Sequence, residues 1–125
     1  MPDLPVIAIT MGDPCGIGPE VVAKALRRDD IRDLCMPLVI GNTSAMQHAV
    51  SLTNTPLTIH AAQHAGDVDT SPGTISIIDP FNLNYEGITL GQVSAVAGKA
   101  SMEWVELAAR LSLGGGVKAI ATAPL

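Results

Sequence analysis

The chain alternates short, unbroken apolar runs with longer stretches whose apolar residues recur at steps of three and four. Pro5-Val-Ile-Ala-Ile-Thr10 and Pro37-Leu-Val-Ile-Gly41 are of the first kind, rich in β-branched residues, as strands covered on both faces of a parallel sheet are. Between them a helix is expected from Pro19 to about Arg28, with Val21, Val22, Ala25 and Leu26 as its inward stripe. Arg27, Arg28, Asp29 and Asp30, of mixed sign, make a solvated exit from it. After the second strand, Asn42 or Thr43 can cap a helix reaching about Leu52. This rhythm predicts an α/β fold with a largely parallel sheet and right-handed crossovers.

The middle of the chain is less regular. Pro56-Leu-Thr-Ile-His60 reads as a short strand, Gln63 to Gly73 is rich in turn residues, and Thr74-Ile-Ser-Ile-Ile78 is a further strand ending at Asp79-Pro80. The clearest helix runs from Gln92 to about Leu113. Val93, Val96, Ala97, Ala100, Trp104, Leu107, Ala108 and Leu111 form its inward face, and Ser94, Lys99, Glu103, Glu106 and Arg110 its outward one. Its small inward residues let it lie close on a sheet, and Glu106 with Arg110 makes a favourable pair one turn apart. Gly114 is the expected left-handed residue after the helix, and Val117 to Ala121 returns to the sheet. Gly114-Gly-Gly116 follows a helix instead of opening one, so it is not a phosphate loop.

Chemistry concentrates in Ile9-Thr-Met-Gly-Asp-Pro-Cys-Gly-Ile-Gly-Pro-Glu20, which ends a strand and opens a helix. Gly12, Gly16 and Gly18 can take positive φ and let backbone come close to a ligand. Pro19 suits a first helical position, and Glu20 puts a carboxylate where the helix dipole favours it. Strand, glycine loop and helix N-terminus together form a place to hold an anion or polar small molecule at the carboxyl edge of a sheet. The loop is not a dinucleotide fingerprint: Val21 stands where the third glycine belongs, Pro19 removes an amide, and no Walker lysine follows.

A net charge of -5 disfavours nucleic acid or an anionic membrane as a partner, while leaving room for a local anion pocket built from amides. Aromatic residues are only 2% of the chain, so the core must be built from Val, Ile, Leu, Ala and Met. No apolar run is long enough to span a bilayer and no signal peptide is visible, which makes a cytoplasmic protein the default expectation. Cys15 and Cys35 make no disulfide framework of the secreted kind.

The Ile9 to Glu20 stretch resembles the amino-terminal signature of the 4-hydroxythreonine-4-phosphate dehydrogenase family, whose relatives include enzymes for phosphoerythronate and phosphothreonate. Gly91-Gln-Val-Ser-Ala-Val-Ala-Gly-Lys-Ala-Ser101 resembles the family's central helix opening, and Ala119-Ile-Ala-Thr-Ala-Pro-Leu125 its strand into a Thr-x-Pro-x-x-Lys segment. The resemblance implies the isocitrate and isopropylmalate dehydrogenase-like fold, with three layers. It implies that residues 1–125 are the amino-terminal portion of a larger dehydrogenase, with a second domain and carboxyl-terminal part beyond this chain. It also implies oxidation of a phosphorylated hydroxy acid with NAD or NADP and a divalent metal such as zinc, magnesium or cobalt, with decarboxylation as a possible second step. The setting would be pyridoxine biosynthesis or sugar-acid catabolism, in a cytoplasmic homodimer.

Within that scheme Gly12, Asp13, Gly16 and Gly18 would lie beside the cofactor and Thr122 would line the substrate side, while the metal ligands lie beyond this chain. The family usually carries a small residue such as Ala where Cys15 stands, so Cys15 reads as a tolerated replacement; a helix N-terminus lowering its pKa would instead make it a nucleophile. His60 and His64 have a one-turn spacing, but the sequence around them is not helical and offers no third ligand, so no metal site is expected there. His48 is expected at the surface of its helix. Asp79 is either a site edge or a turn starter. Two other readings stand beside the dehydrogenase: an acyltransferase related to phosphate acetyltransferase, which shares the broad fold, and an inert fragment. The chain alone is expected to catalyse nothing.

Overall fold

A computed structural model describes residues 4–80 and 95–124 of the 125. Five strands, β1 Val6–Thr10, β2 Met36–Ile40, β3 Thr58–Ala61, β4 Thr74–Ile78 and β5 Ala119–Thr122, form one sheet in the order β3-β4-β2-β1-β5. Every pairing is parallel, with Thr10 of β1 in register with Ile40 of β2 on one side and Thr122 of β5 on the other. The helices are α1 Gly18–Leu26, the single turn α2 Asp29–Arg32, α3 Thr43–Leu52 and α4 Ala95–Leu113.

Right-handed crossovers fix the layers. The chain steps one way along the sheet through α1 and α3, which pack on each other, and the opposite way through α4, which packs on β1, β2 and β5. The α1–α3 pair and α4 therefore cover opposite faces, giving the expected three layers. Leu38, Val39, Ile40, Ile75 and Ile77 fill the central strands, and Trp104 of α4 is fully buried. Such burial contributes about 1.5–3 kcal/mol for each large side chain.

Local signals explain most boundaries. Asn42 is the cap of α3, its side chain accepting the Ala45 N–H at 2.9 Å. At the end of α4, Gly115 N–H bonds to the Ser112 carbonyl and Gly116 N–H to that of Leu111, a Schellman closure. The left-handed residue is thus Gly115, with φ +82, and not Gly114 as expected, because the Gly114 N–H still makes the helical bond to the Arg110 carbonyl at 3.0 Å. Helix α1 ends at Leu26, two residues before the expected Arg28, and its fully buried face is Val22, Ala23 and Leu26. Val21 and Ala25 instead line an apolar groove of about 310 Å³ with Ile7, Ile9, Leu26 and Ala121. On α4, Val96 is 59% exposed, against expectation, and Ser101 is buried, with its hydroxyl donating to the Gly98 carbonyl. The expected start of that helix at Gln92, with Val93 and Ser94, lies outside the described residues.

Candidate active-site edge

The chain steps from β1 to β2 on one side and later returns across the sheet to place β5 on the other side of β1, and in open α/β sheets ligands bind at the carboxyl ends of the strands. The glycine loop leaves the carboxyl end of β1 there, and Thr122 ends β5 beside it. The two stretches singled out in the sequence, more than a hundred residues apart, thus meet at one edge.

What holds them together is backbone. Asp13 N–H donates to the Pro124 carbonyl at 3.2 Å, and Ala123 N–H to the Thr10 carbonyl at 3.0 Å. Gly12 has φ +79, and a Cβ there would fall on the Pro124 carbonyl oxygen. A Cβ on Gly18 would fall on the Met11 carbonyl and within 3.1 Å of that of Pro124. Gly41, at the end of β2, is pressed against the side chain of Met11, which is fully buried. Gly16 meets only Asp13, at 3.6 Å. Among the three loop glycines only Gly12 has positive φ, which corrects the expectation for Gly16 and Gly18. Gly12 and Gly18 are glycine because two pieces of backbone touch, so the close approach they permit is to the Ala123–Pro124 segment.

Asp13 organises the loop. Its Oδ1 accepts the Cys15 N–H at 2.8 Å, and its carbonyl accepts the Gly16 N–H at 3.0 Å. Beyond this turn, Gly16 and Ile17 are exposed, α1 opens at Gly18, one residue before the expected Pro19, and Glu20 stands in its first turn as the sequence predicts. Thr122 is exposed at the same edge. Cys15 is buried, and its thiol is pushed above the ordinary value first by that burial and then by the charge and hydrogen bond of Asp13. A raised thiol pKa is the reverse of an activated nucleophile.

The other candidates fall elsewhere. Asp79 Oδ2 accepts the Thr43 N–H at 3.0 Å, so this carboxylate caps α3. It borders a cleft of about 400 Å³ at the ends of β3 and β4, together with Thr43, His64, Ile77 and Leu107. His60 Nε2 lies 3.1 Å from the Asp67 carbonyl, and His64 and His48 are exposed. Among the described residues no group of three or more His, Cys, Asp or Glu could hold a metal ion. Sequence reasoning missed Thr10, whose hydroxyl is fully buried at the root of the loop with no hydrogen-bond partner among the described residues. An apolar strand pattern treats Thr as a neutral member, so nothing in the pattern could have marked it.

A parallel α/β sheet with a glycine loop at the carboxyl end of its first strand defines the class of protein. The family described as pyridoxal phosphate biosynthetic protein PdxA matches residues 33–125, three quarters of the chain, and the chain belongs to that family. It is 45% identical over 122 residues to the D-threonate 4-phosphate dehydrogenase of Cupriavidus necator, covering 98% of this chain and 36% of that protein. It is 42% identical over 124 residues to the 4-hydroxythreonine-4-phosphate dehydrogenase of Trichlorobacter lovleyi, covering 97% and 36%. A crystal structure of a 4-hydroxythreonine-4-phosphate dehydrogenase from Burkholderia phymatum superposes with a TM-score of 0.91 at 36% identity, covering 97% of this chain and 36% of that one. The chain therefore spans little more than a third of the length of these relatives. No helix among the described residues is long and apolar enough to cross a membrane.

Proposed function

We propose that this chain forms the glycine-loop unit of a dehydrogenase that oxidises the secondary alcohol of a phosphorylated hydroxy acid, D-threonate 4-phosphate or 4-hydroxythreonine 4-phosphate. The observation that carries the reading is the meeting of the Gly12–Gly18 loop and Thr122 at the carboxyl edge of the sheet, in a chain whose similar proteins are named as dehydrogenases of those substrates. NAD or NADP, when bound, supplies the hydride acceptor. The outward part of the loop, Gly16 and Ile17, and the exposed Thr122 hydroxyl are the polar groups this chain offers to such a cofactor and substrate. Asp13 is a positioning residue, setting the loop through the Cys15 and Gly16 amides. Among the described residues no group of three or more His, Cys, Asp or Glu could hold a divalent metal, and the proposal takes the metal ligands from sequence beyond this chain. Decarboxylation, a cytoplasmic location and a homodimer belong to the same proposal as properties of a longer protein.

The test is NAD(P) reduction with each of the two substrates and added zinc, magnesium or cobalt, run on the protein isolated from its native source and on the 125-residue chain produced alone. Intact mass on both samples fixes what is being assayed. Turnover by a native protein two to three times larger, with none by the short chain, is the expected result. A native protein inactive on both substrates overturns the reading, and turnover by the short chain overturns the placement of the metal.

A further inference from the structure

The two edges of the sheet differ in what they leave open. At one, β3 carries the polar Thr58 and His60, and His60 Nε2 lies 3.1 Å from the Asp67 carbonyl in the segment after the strand. At the other, β5 is paired among the described residues only with β1, and all four of its residues are exposed. A strand paired on one side leaves every second N–H and C=O without a ladder partner, and Ala119-Ile-Ala-Thr122 holds neither the charge nor the proline that blunts such an edge. The faces of β5 are open as well. The apolar groove of about 310 Å³ is walled by Ile7 and Ile9 of β1, Val21 and Ala25 of α1 and Ala121 of β5, with Val21 41% exposed at its rim. Successive strand residues point to opposite faces, so Ile120 points to the α4 side, where it is 39% exposed. Two further facts bear on what covers this surface. The chain matches only 36% of the length of its relatives, so nearly two thirds of each has no counterpart in it. The glycine loop and Thr122 stand on β1 and β5, so a ligand site there is walled by this chain on the β1 side and open on the free side of β5.

We propose that the free edge of β5 and the groove beside it are the seat of polypeptide equivalent to the unmatched two thirds of those relatives. That polypeptide offers an extended strand to the open amides and carbonyls of β5 and a row of apolar side chains to the wall of Ile7, Ile9, Val21 and Ala25. A strand added to a sheet edge takes its affinity from main-chain hydrogen bonds and its specificity from pockets for alternate side chains, and this edge supplies both. A second copy of the chain is the poorer occupant, because it brings together two bodies of net charge -5. Docked at β5, the added polypeptide closes the open side of the edge where Thr122 stands, which accounts for the expected inactivity of the 125-residue chain alone. The proposal rests on membership of the family and on this surface, and not on the choice of substrate.

The experiment co-produces the 125-residue chain with the unmatched part of the Cupriavidus necator D-threonate 4-phosphate dehydrogenase, which carries the affinity tag, so that neither part has to fold alone. Association is read by co-purification and light scattering, and its place by amide hydrogen exchange. A one-to-one complex is expected in which the Ala119–Thr122 amides gain protection over the 125-residue chain alone, while those of Thr58–Ala61 do not. Val21→Asp sets a carboxylate on the exposed rim of the groove and should weaken association at least about tenfold, since docking would bury that charge unpaired. Leu52→Asp, exposed at the end of α3 and away from the groove, should leave association unchanged. If the unmatched part is insoluble, the same two substitutions are made at the aligned positions of the intact relative, where only the first should lower the unfolding midpoint. Absence of a complex, protection at Thr58–Ala61 in place of Ala119–Thr122, or equal effects of the two substitutions overturns the proposal. So does a dimer of the 125-residue chain alone that protects Ala119–Thr122, which would give the edge to a second copy.

Discussion

The two glycine-rich segments of this chain look alike as sequence and differ completely as structure. Gly12 and Gly18 are buried between the end of β1 and the Ala123–Pro124 backbone, and the space a Cβ would need is already filled by carbonyl oxygens. Gly114, Gly115 and Gly116 lie exposed past the end of α4, and around Gly115 nothing comes within 4 Å of an added Cβ. The first set is glycine because of what it touches, the second because of how the chain turns. Conformational freedom and close approach are separate reasons for the same residue, with different energies.

The largest effect expected from this contrast is at the loop. Gly12→Ala combines positive φ with a collision against backbone, and Gly18→Ala collides with two carbonyls that cannot rotate away. Each should destabilise by roughly 3–5 kcal/mol in urea unfolding, in the range reserved for strained or overpacked sites. A loss below about 1 kcal/mol at either position would show that the loop and the Pro124 segment are not locked together.

Thr10 sharpens the comparison with the opposite sign. It sits at the root of the same close-packed loop, yet its buried hydroxyl has no partner among the described residues. Thr10→Val keeps the shape and removes the unpaired group, so the unfolding midpoint should rise, by about 1–2 kcal/mol in stability. A fall would mean that the hydroxyl has an acceptor in solution. At the exposed end, Gly115→Ala should cost about 1 kcal/mol, the penalty of left-handed backbone alone, since no neighbour is met. A cost like that of Gly12→Ala would erase the distinction.

These differences mark where the sequence was readable. Strand β4 was legible to the residue and the cap of α3 to one of two neighbours, Asn42 or Thr43, because period and capping are local properties. The α/β class followed from the rhythm of strands and helices. Val21 and Val96 carry the right spacing for burial and are 41% and 59% exposed, because periodicity says which face points inward but not what stands opposite. The candidate site was legible in its parts, the glycine loop and Thr122, and their meeting depended on β1 and β5 being neighbours. That Gly18 is demanded by Met11 and Pro124 was not legible, since one of those partners lies more than a hundred residues away.

The smallest effect belongs to Gly16, and it tests the comparison from inside the loop. Gly16 shares the motif with Gly12 and Gly18, so a reading of the motif as one unit makes all three equally intolerant. Its surroundings say otherwise: φ is not positive, the residue is exposed, and an added Cβ would meet Asp13 at 3.6 Å, an ordinary contact. Gly16→Ala should therefore change stability by no more than about 0.5 kcal/mol. Its amide would still bond to the Asp13 carbonyl, so the turn should survive. If the change is neutral in unfolding yet lowers cofactor or substrate affinity in the active protein, Gly16 is glycine for a ligand's sake, unlike its two neighbours. If stability falls as far as for Gly12→Ala, the glycines act as one structural set and the outward part of the loop loses its claim to face a ligand.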